Sequence, residues 1–208
     1  MNAETLRHLS KSDPVLRRLI ARVGVCTLAP EPLRAPFESL VRAVAHQQLH
    51  GVAAARILDR FQALFSGRRF PSAAALVGIS DEALRGAGFS RAKAAAIRDI
   101  AEKTLSGIIP SARRMARLDD EQIVVRLTSV RGVGRWTAEM LLIFQLGRPD
   151  VLPVDDFGVR NGFRAAYGLS EMPKPKTLQA HGERWRPYRT TAAWYLWRAA
   201  DALPPGEI

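Results

Sequence analysis

Two adjacent carboxylates stand behind a proline in the segment PVDDFGVRNGF, residues 153–163. Acids in such a place ordinarily form the N-cap and first turn of a helix, and that interpretation stays open. Val159 and Phe163 define the buried face of the predicted helix, and Asp156 lies on the same face. An inward-pointing carboxylate is costly unless it has a chemical role. Asp156 is therefore the candidate catalytic carboxylate.

A second chemical feature is the pair Gly132 and Gly134, which are separated by one valine. One helix must end before them and another must begin after them, so they form a tight turn whose amides are not shielded by side chains. Those amides and the positive end of the following helix suit a phosphate group, and Arg131 and Arg135 add positive charge. The alternative is an ordinary glycine-capped turn, because Gly-x-Gly alone is a weak pattern.

The elements that position these residues are predicted to be helices, because apolar residues recur at helical spacing and strand patterns are almost absent. Ser80 and Asp119 precede acidic first turns, as N-caps do. Roughly ten short helices are expected, giving an all-α fold. Breaks rich in glycine and proline separate them, at residues 30–36, 67–71, 107–110, 147–153 and 172–175.

The whole chain, residues 1–208, is predicted to act as a single unit. Roughly residues 36–116 form one helical lobe and residues 117–163 form the hairpin and catalytic segment. Residues 1–35 and 164–208 together form a second helical lobe.

The charge balance points to a polyanionic partner, since 31 Lys and Arg stand against 20 Asp and Glu, for a net charge of +11. Nucleic acid is the leading partner class, and a basic but inert surface is the alternative. No apolar run approaches the roughly 18 residues of a membrane-spanning helix, so no membrane partner is expected.

The single cysteine, Cys26, cannot form an internal disulfide and cannot by itself hold zinc or an iron–sulfur cluster. The first residues contain charges and no apolar region of a secretion signal. We therefore expect a cytoplasmic protein, associated with the nucleoid if the source is bacterial.

The motif GVGRWTA, residues 132–138, followed by Asp156, resembles the helix-hairpin-helix and catalytic-aspartate module of the DNA glycosylase superfamily. The details resemble its alkylpurine branch, the 3-methyladenine DNA glycosylase II type, from about Leu40 to Trp197. Supporting segments are VRAVAHQQLHG (41–51), GFSRAK (88–93), RWRPYR (184–189) and YLWR (195–198). The resemblance implies two helical lobes with the active-site cleft between them.

Two departures from the superfamily's patterns refine this expectation. Longer relatives begin with a β-rich lobe that has no counterpart here, so only the helical lobes are expected. Lyase members carry a Schiff-base lysine in the second hairpin helix, where this chain has Trp136. The resemblance thus implies a monofunctional glycosylase that needs no cofactor for catalysis.

The implied activity is excision of alkylated purines, such as 3-methyladenine and 7-methylguanine, from double-stranded DNA as the first step of base excision repair. The target nucleotide is flipped out of the helix. Asp156 then stabilises the oxocarbenium-like sugar or orients the attacking water. Trp136, Phe157 and Trp197 form the base pocket, because electron-rich rings attract a cationic alkylated purine.

The resemblance also implies a set of DNA contacts. Leu49 is the intercalating wedge, with Gln48 and His50 beside it in the minor groove. A core role for Leu49 and a capping role for His50 are the alternatives. The hairpin contacts come from Arg131, Gly132, Gly134, Arg135 and Thr137. A sodium or potassium ion is expected at the backbone carbonyls of Thr128, Val130 and Val133.

Two other functions compete with this one. Helix-hairpin-helix units also occur in proteins that bind DNA without catalysis, but such a binder has no need for an inward carboxylate beside aromatic residues. A glycosylase for mispaired or oxidised bases would need more base-specific polar groups than the candidate pocket contains.

We expect the protein to act as a monomer.

Overall fold

The computed structural model describes residues 3–31, 34–49, 51–66 and 69–202. Every regular element in these residues is helical, which confirms the all-α prediction. The helices are, in chain order, α1 (Ala3–Ser12), α2 (Pro14–Val23), α3 (Pro36–His46), α4 (Gly51–Ala63), α5 (Ala73–Val77), α6 (Asp81–Gly86), α7 (Arg91–Leu105), α8 (Ala112–Met115), α9 (Asp120–Thr128), α10 (Arg135–Phe144), α11 (Phe157–Ala166), α12 (Pro175–Gly182) and α13 (Arg189–Ala202), with a 3₁₀-helix at Glu183–Trp185 between the last two.

The described residues thus contain more α-helices than the roughly ten that periodicity predicted. Two of them, α5 and α8, have only five and four residues, which is too short for a periodic pattern to show. The described residues of the predicted breaks lie between helices, except that Pro36 and Pro175 begin α3 and α12. Residues 32–33 and 67–68 of those breaks lie outside the described residues. No helix in the described residues is long and apolar enough to cross a membrane.

The chain divides into two compact units. The terminal unit comprises the described residues of Met1–Pro30 and Leu142–Ile208, and the internal unit those of Glu31–Leu141. The division lies inside α10, and it places the glycine turn in the internal unit and Asp156 in the terminal unit.

In the terminal unit, the core lies around α11 and α13. Val159 and Phe163 are buried, which confirms the predicted inner face of α11, and Trp185 and Tyr195 are fully buried. Helices α11 and α13 approach so closely that a β-carbon on Gly162 would lie 1.8 Å from the carbonyl oxygen of Leu196. Only glycine fits there, because the obstacle is backbone and not a movable side chain.

A buried carboxylate, Asp13, ties the first helices of the terminal unit to its later ones. Its Oδ2 accepts hydrogen bonds from the Tyr167 hydroxyl at 2.5 Å and the Trp185 indole at 2.9 Å, and His181 Nε2 lies 3.0 Å away. Burial by itself raises the pKa of Asp13, but its hydrogen bonds with His181, Tyr167 and Trp185 lower the pKa well below its usual range. This network stabilises the unit that carries Asp156.

In the internal unit, α3 and α7 pack together and bury Leu40, Val44, Ile97 and Ile100. The predicted N-cap at Ser80 is confirmed, since its hydroxyl accepts from the backbone amide of Ala83. The predicted cap at Asp119 is confirmed as a reciprocal capping box with Gln122. These caps fix where α6 and α9 begin.

Candidate functional site

The glycine turn lies between the end of α9 at Thr128 and the start of α10 at Arg135, as predicted. Gly132 has a φ of +74°, a left-handed conformation that favours glycine. Gly134 is exposed, and a β-carbon there would meet no atom within 4 Å. The structure therefore requires glycine at position 132 for its backbone, whereas position 134 is open to an approaching group.

The predicted hairpin contacts differ in how available they are. Arg131 is exposed, whereas Thr137 is only 5% exposed. The Arg135 guanidinium is bonded to Glu121 at 2.9 Å and to Glu139 at 3.1 Å. The hydrogen bond from Arg135 to Glu121 raises the pKa of Arg135. Much of the charge of Arg135 is thus balanced within the protein, which the sequence did not suggest.

Helix α7 fastens the turn through two side chains that sequence reasoning missed. Asp99 Oδ2 accepts from the backbone amide of Arg131 at 2.6 Å, and Lys103 Nζ lies 2.8 Å from the same oxygen. Lys103 also donates to the carbonyl of Ser129. Burial raises the pKa of Asp99, but the Arg131 amide and Lys103 lower it below the usual value. The pairing of Asp99 with Lys103 is a local i,i+4 contact, but the contacts with Arg131 and Ser129 join α7 to the distant turn, which no local pattern could reveal.

The predicted wedge follows α3. Gln48 is exposed and has a φ of +57°, and Leu49 is 40% exposed, so the alternative that placed Leu49 in the core is wrong. The side-chain amide of Gln47 donates to the carbonyl of Gly132 at 2.9 Å, which joins this segment to the glycine turn. His50 lies outside the described residues, so its predicted minor-groove contact stays a prediction.

The internal unit contains a cavity of about 590 Å³ beside the glycine turn. Its lining includes Trp136, Thr137 and Met140 of α10, together with Gln48 and Lys93. Trp136 is 45% exposed, so a ligand in the cavity could reach its side chain. A flat group that entered the cavity would meet an aromatic surface.

In the terminal unit, Asp156 is both a helix cap and a buried carboxylate. It is the N-cap residue of α11, and its Oδ1 accepts from the backbone amide of Val159 at 2.8 Å. It is also buried, with 9% exposure, whereas Asp155 is exposed. The indole nitrogen of Trp197 donates to the same Oδ1 at 2.8 Å. The structure thus singles out Asp156 from its neighbour.

The indole that donates to this carboxylate is itself packed on another aromatic ring. The half-buried Trp197 ring stacks on Phe144 with centroids 5.6 Å apart, and Phe157 is 71% exposed. A β-carbon on Gly158 would lie 2.8 Å from Trp197 Cδ1, so glycine leaves room for the indole to reach Asp156. Sequence reasoning predicted Trp197 and Phe157 but missed Phe144 and Gly158. Phe144 ends an apolar helix and resembled a core residue.

The predicted cation ligands lie in the glycine turn and its preceding helix. Side chains occupy the carbonyls of Ser129 and Gly132, which are not among the three predicted ligands. Neutral carbonyl oxygens are suitable ligands for a sodium or potassium ion. Among the described residues, no group of three or more His, Cys, Asp or Glu side chains could hold a metal ion.

Comparison with known proteins agrees with the motif-based resemblance. The family model described as "HhH-GPD superfamily base excision DNA repair protein" matches residues 41–187. DNA-3-methyladenine glycosylase 1 of Schizosaccharomyces pombe is 42% identical over 196 residues, which cover 93% of this chain and 85% of that protein.

Two solved structures are similar over nearly their whole length. The Schizosaccharomyces pombe 3-methyladenine DNA glycosylase in complex with abasic DNA has a TM-score of 0.83 and 41% identity, covering 94% of this chain and 96% of that chain. The DNA-3-methyladenine glycosidase of Bacillus halodurans has a TM-score of 0.87 and 37% identity, covering 97% and 90%. This chain therefore belongs to the HhH-GPD superfamily of base excision DNA repair proteins.

Proposed function

We propose that this protein is a DNA glycosylase that removes alkylated purines, such as 3-methyladenine and 7-methylguanine, from double-stranded DNA. The observation that carries the proposal is Asp156, a buried carboxylate that caps α11 and accepts a hydrogen bond from Trp197. The names of the similar proteins, which are 3-methyladenine DNA glycosylases, support the substrate class.

The chemistry follows from the charge of the substrate. A purine alkylated at a ring nitrogen is already cationic, so the glycosidic bond breaks with little protonation of the leaving base. The sugar becomes oxocarbenium-like, and the Asp156 carboxylate stabilises that positive charge or orients the water that attacks C1′. The two hydrogen bonds to Oδ1 fix the carboxylate, so it needs no reorganisation during the reaction.

Recognition of the base is assigned to aromatic residues. Trp136 in the internal unit, and Phe157 and Trp197 in the terminal unit, are each at least partly exposed, as the proposed contact with a flipped base requires. A cation over an aromatic face gains about 0.5–2 kcal/mol, so these rings favour an alkylated purine over a neutral one. Substrate range should therefore follow both the charge and the lability of the base.

We also propose that the enzyme lacks lyase activity. Trp136 stands where lyase members carry their nucleophilic lysine. Among the described residues that line the cavity, Lys93 is the one with an amine, and its Nζ donates hydrogen bonds to the carbonyls of Ala45 and Gln47. An ammonium group held in this way is not a free amine nucleophile.

Duplexes that contain one 3-methyladenine or 7-methylguanine test these proposals together. We expect base release, with strand cleavage only after alkali, and no covalent adduct on borohydride reduction. Cleavage without alkali, or a borohydride-trapped complex that Lys93→Met abolishes, would identify a lyase. Tight binding to lesion DNA without base release would identify a non-catalytic DNA-binding protein.

The glycine turn is proposed to bind a DNA phosphate through its amides and the positive end of α10. Replacement of Gly134 by valine should weaken binding to all DNA sequences alike, by about tenfold. The added side chain would block the approach of the phosphate, but it would not collide with any part of the protein. The melting temperature should change by no more than about 2 °C, since no atom lies within 4 Å of the added β-carbon. Fluorescence anisotropy on several duplexes measures the effect, and unchanged affinity would contradict the proposal.

We further propose that a sodium or potassium ion binds the carbonyls of Thr128, Val130 and Val133 and supplies a positive charge beside that phosphate. Replacing potassium with tetramethylammonium at constant ionic strength should then weaken DNA binding about fivefold, which corresponds to one exposed charge interaction in water. The same comparison on the Gly134→Val variant should show a smaller effect, because its phosphate contact is already weakened. Equal wild-type affinity in both salts would exclude the ion.

A further inference from the structure

The segment Gln47–Leu49, here called the wedge turn, has an unusual backbone. Gln48 has a φ of +57° and is the one non-glycine residue with a positive φ among the described residues. A residue with a side chain is strained in this left-handed region, because its β-carbon comes too close to the following carbonyl oxygen. Such a conformation persists only where its surroundings hold it in place.

Apolar packing does not hold the wedge turn. Gln48 and Leu49 are both exposed, and Leu49 exposes 40% of its surface. Backbone hydrogen bonds join the turn to the end of α3, from the Gln47 amide to the Ala43 carbonyl and from the Leu49 amide to the His46 carbonyl, both at 3.2 Å. Polar contacts from neighbouring elements add to these local bonds.

Lys93 supplies such contacts from the first turn of α7. Its Nζ donates to the carbonyl of Gln47 at 2.7 Å and to the carbonyl of Ala45 at 2.9 Å. Carbonyls at the end of a helix lack partners within the helix, and the helix dipole there favours a cation. Burial lowers the pKa of Lys93, so the ammonium has been partly removed from water to make these contacts.

Gln47 supplies the second connection. Its backbone is held by Lys93, while its side-chain amide donates to the carbonyl of Gly132 in the glycine turn. One residue thus links the wedge turn to the proposed phosphate site. A shift of the Gln47 backbone would move Leu49 relative to that site.

We propose that Lys93 is a positioning residue that holds Gln48 and Leu49 in the geometry needed to enter the duplex and fill the gap left by the flipped nucleotide. This positioning role rests on the proposed glycosylase function, because Leu49 has a gap to fill only when a nucleotide is flipped out of the duplex. Lys93 acts through the wedge turn, because its Nζ donates to the carbonyls of Ala45 and Gln47.

The first test compares duplex with single-stranded substrates that carry the same lesion. Lys93→Met should slow single-turnover excision from duplex DNA by about 10–100-fold, since a displaced contact group costs up to about a hundredfold. Excision from single-stranded DNA should fall by less than about threefold, because no gap has to be filled. Equal losses on both substrates would show that Lys93 merely supports the fold.

A matched control removes the same charge from the same helix. Arg91 is exposed and lies two residues before Lys93 in α7. Arg91→Met should therefore weaken DNA binding only to the extent expected for the loss of one surface charge. It should leave the ratio of the excision rates on duplex and single-stranded DNA unchanged. If Arg91→Met changes that ratio as much as Lys93→Met does, the effect is electrostatic and the positioning role is wrong.

A double-mutant cycle with Leu49→Ala tests whether Lys93 acts through the wedge. Residues that act as a unit show non-additive effects, so Lys93→Met should cost little on duplex DNA once Leu49 is alanine. If the rate loss of the double variant on duplex DNA equals the product of the two single losses, Lys93 does not act through Leu49 and the proposal is wrong.

A last measurement needs no catalysis and so separates the positioning role from the proposed function. The duplex carries a tetrahydrofuran abasic site opposite 2-aminopurine, whose fluorescence rises when it is unstacked. Binding of the wild-type protein should raise the fluorescence, and saturating Lys93→Met should not, although it still binds. An equal rise with both proteins would refute the role of Lys93. Failure of the wild-type protein to release alkylated bases, with the fluorescence difference intact, would refute only the glycosylase function.

Discussion

Replacement of Asp156 by asparagine should reduce base release from alkylated DNA at least about a hundredfold, because it removes the charge that opposes the developing oxocarbenium ion. Asparagine keeps an Oδ1 that can accept from the Val159 amide and the Trp197 indole, so the local structure should be retained. Binding to lesion-containing duplex should stay within about tenfold, since the lost interaction belongs to the transition state. Single-turnover kinetics and fluorescence anisotropy measure the two effects.

The adjacent acid provides the matched control. Asp155 is exposed, so Asp155→Asn should leave excision within about threefold of wild type, as for a typical surface substitution. The assignment would be wrong if Asp155→Asn were inactive and Asp156→Asn were active. It would also be wrong if Asp156→Asn lost activity only in proportion to a lost fold, which thermal melts of the same samples would reveal.

Replacement of Gly162 by alanine should be strongly destabilising. The added β-carbon would lie 1.8 Å from the Leu196 carbonyl oxygen, so α11 and α13 would have to move apart. Overpacking against backbone should cost on the order of 3 kcal/mol, and a melting temperature lowered by about 6–12 °C is expected for a chain of this size. Differential scanning calorimetry measures this change.

The same substitution should also affect activity in the fraction that stays folded. Asp156 caps α11 and Trp197 belongs to α13. Separation of the two helices would therefore lengthen the hydrogen bond from the Trp197 indole to the Asp156 carboxylate. Gly86→Ala is the control, because it lies at the end of α6 and its added β-carbon would meet no atom within 4 Å. Gly86→Ala should be neutral or slightly stabilising. A Gly162→Ala variant as stable as Gly86→Ala would contradict the close approach of the two helices.

Much of the fold and part of the site could be predicted from residues close together in the chain. Helical periodicity and turn residues gave the all-α fold and its breaks, and cap chemistry gave the helix starts after Ser80 and Asp119. The glycine turn and the inner face of α11, with Asp156 before Val159, follow from local spacing alone. These features depend on backbone preferences and on side chains within one or two helical turns, which the sequence displays directly.

Contacts between helices were decided only by the tertiary structure. The indole that fixes Asp156 is 41 residues away, and the ammonium that holds the wedge turn is 48 residues from Ala45. The pairing of Arg135 with Glu121, which balances a charge predicted to face phosphate, likewise joins two helices. Periodicity shows which face of a helix is buried but not which helix covers it, nor how close two backbones come. The contacts that give Trp197, Lys93 and Gly162 their roles form only when the helices pack, so the sequence alone could not show them.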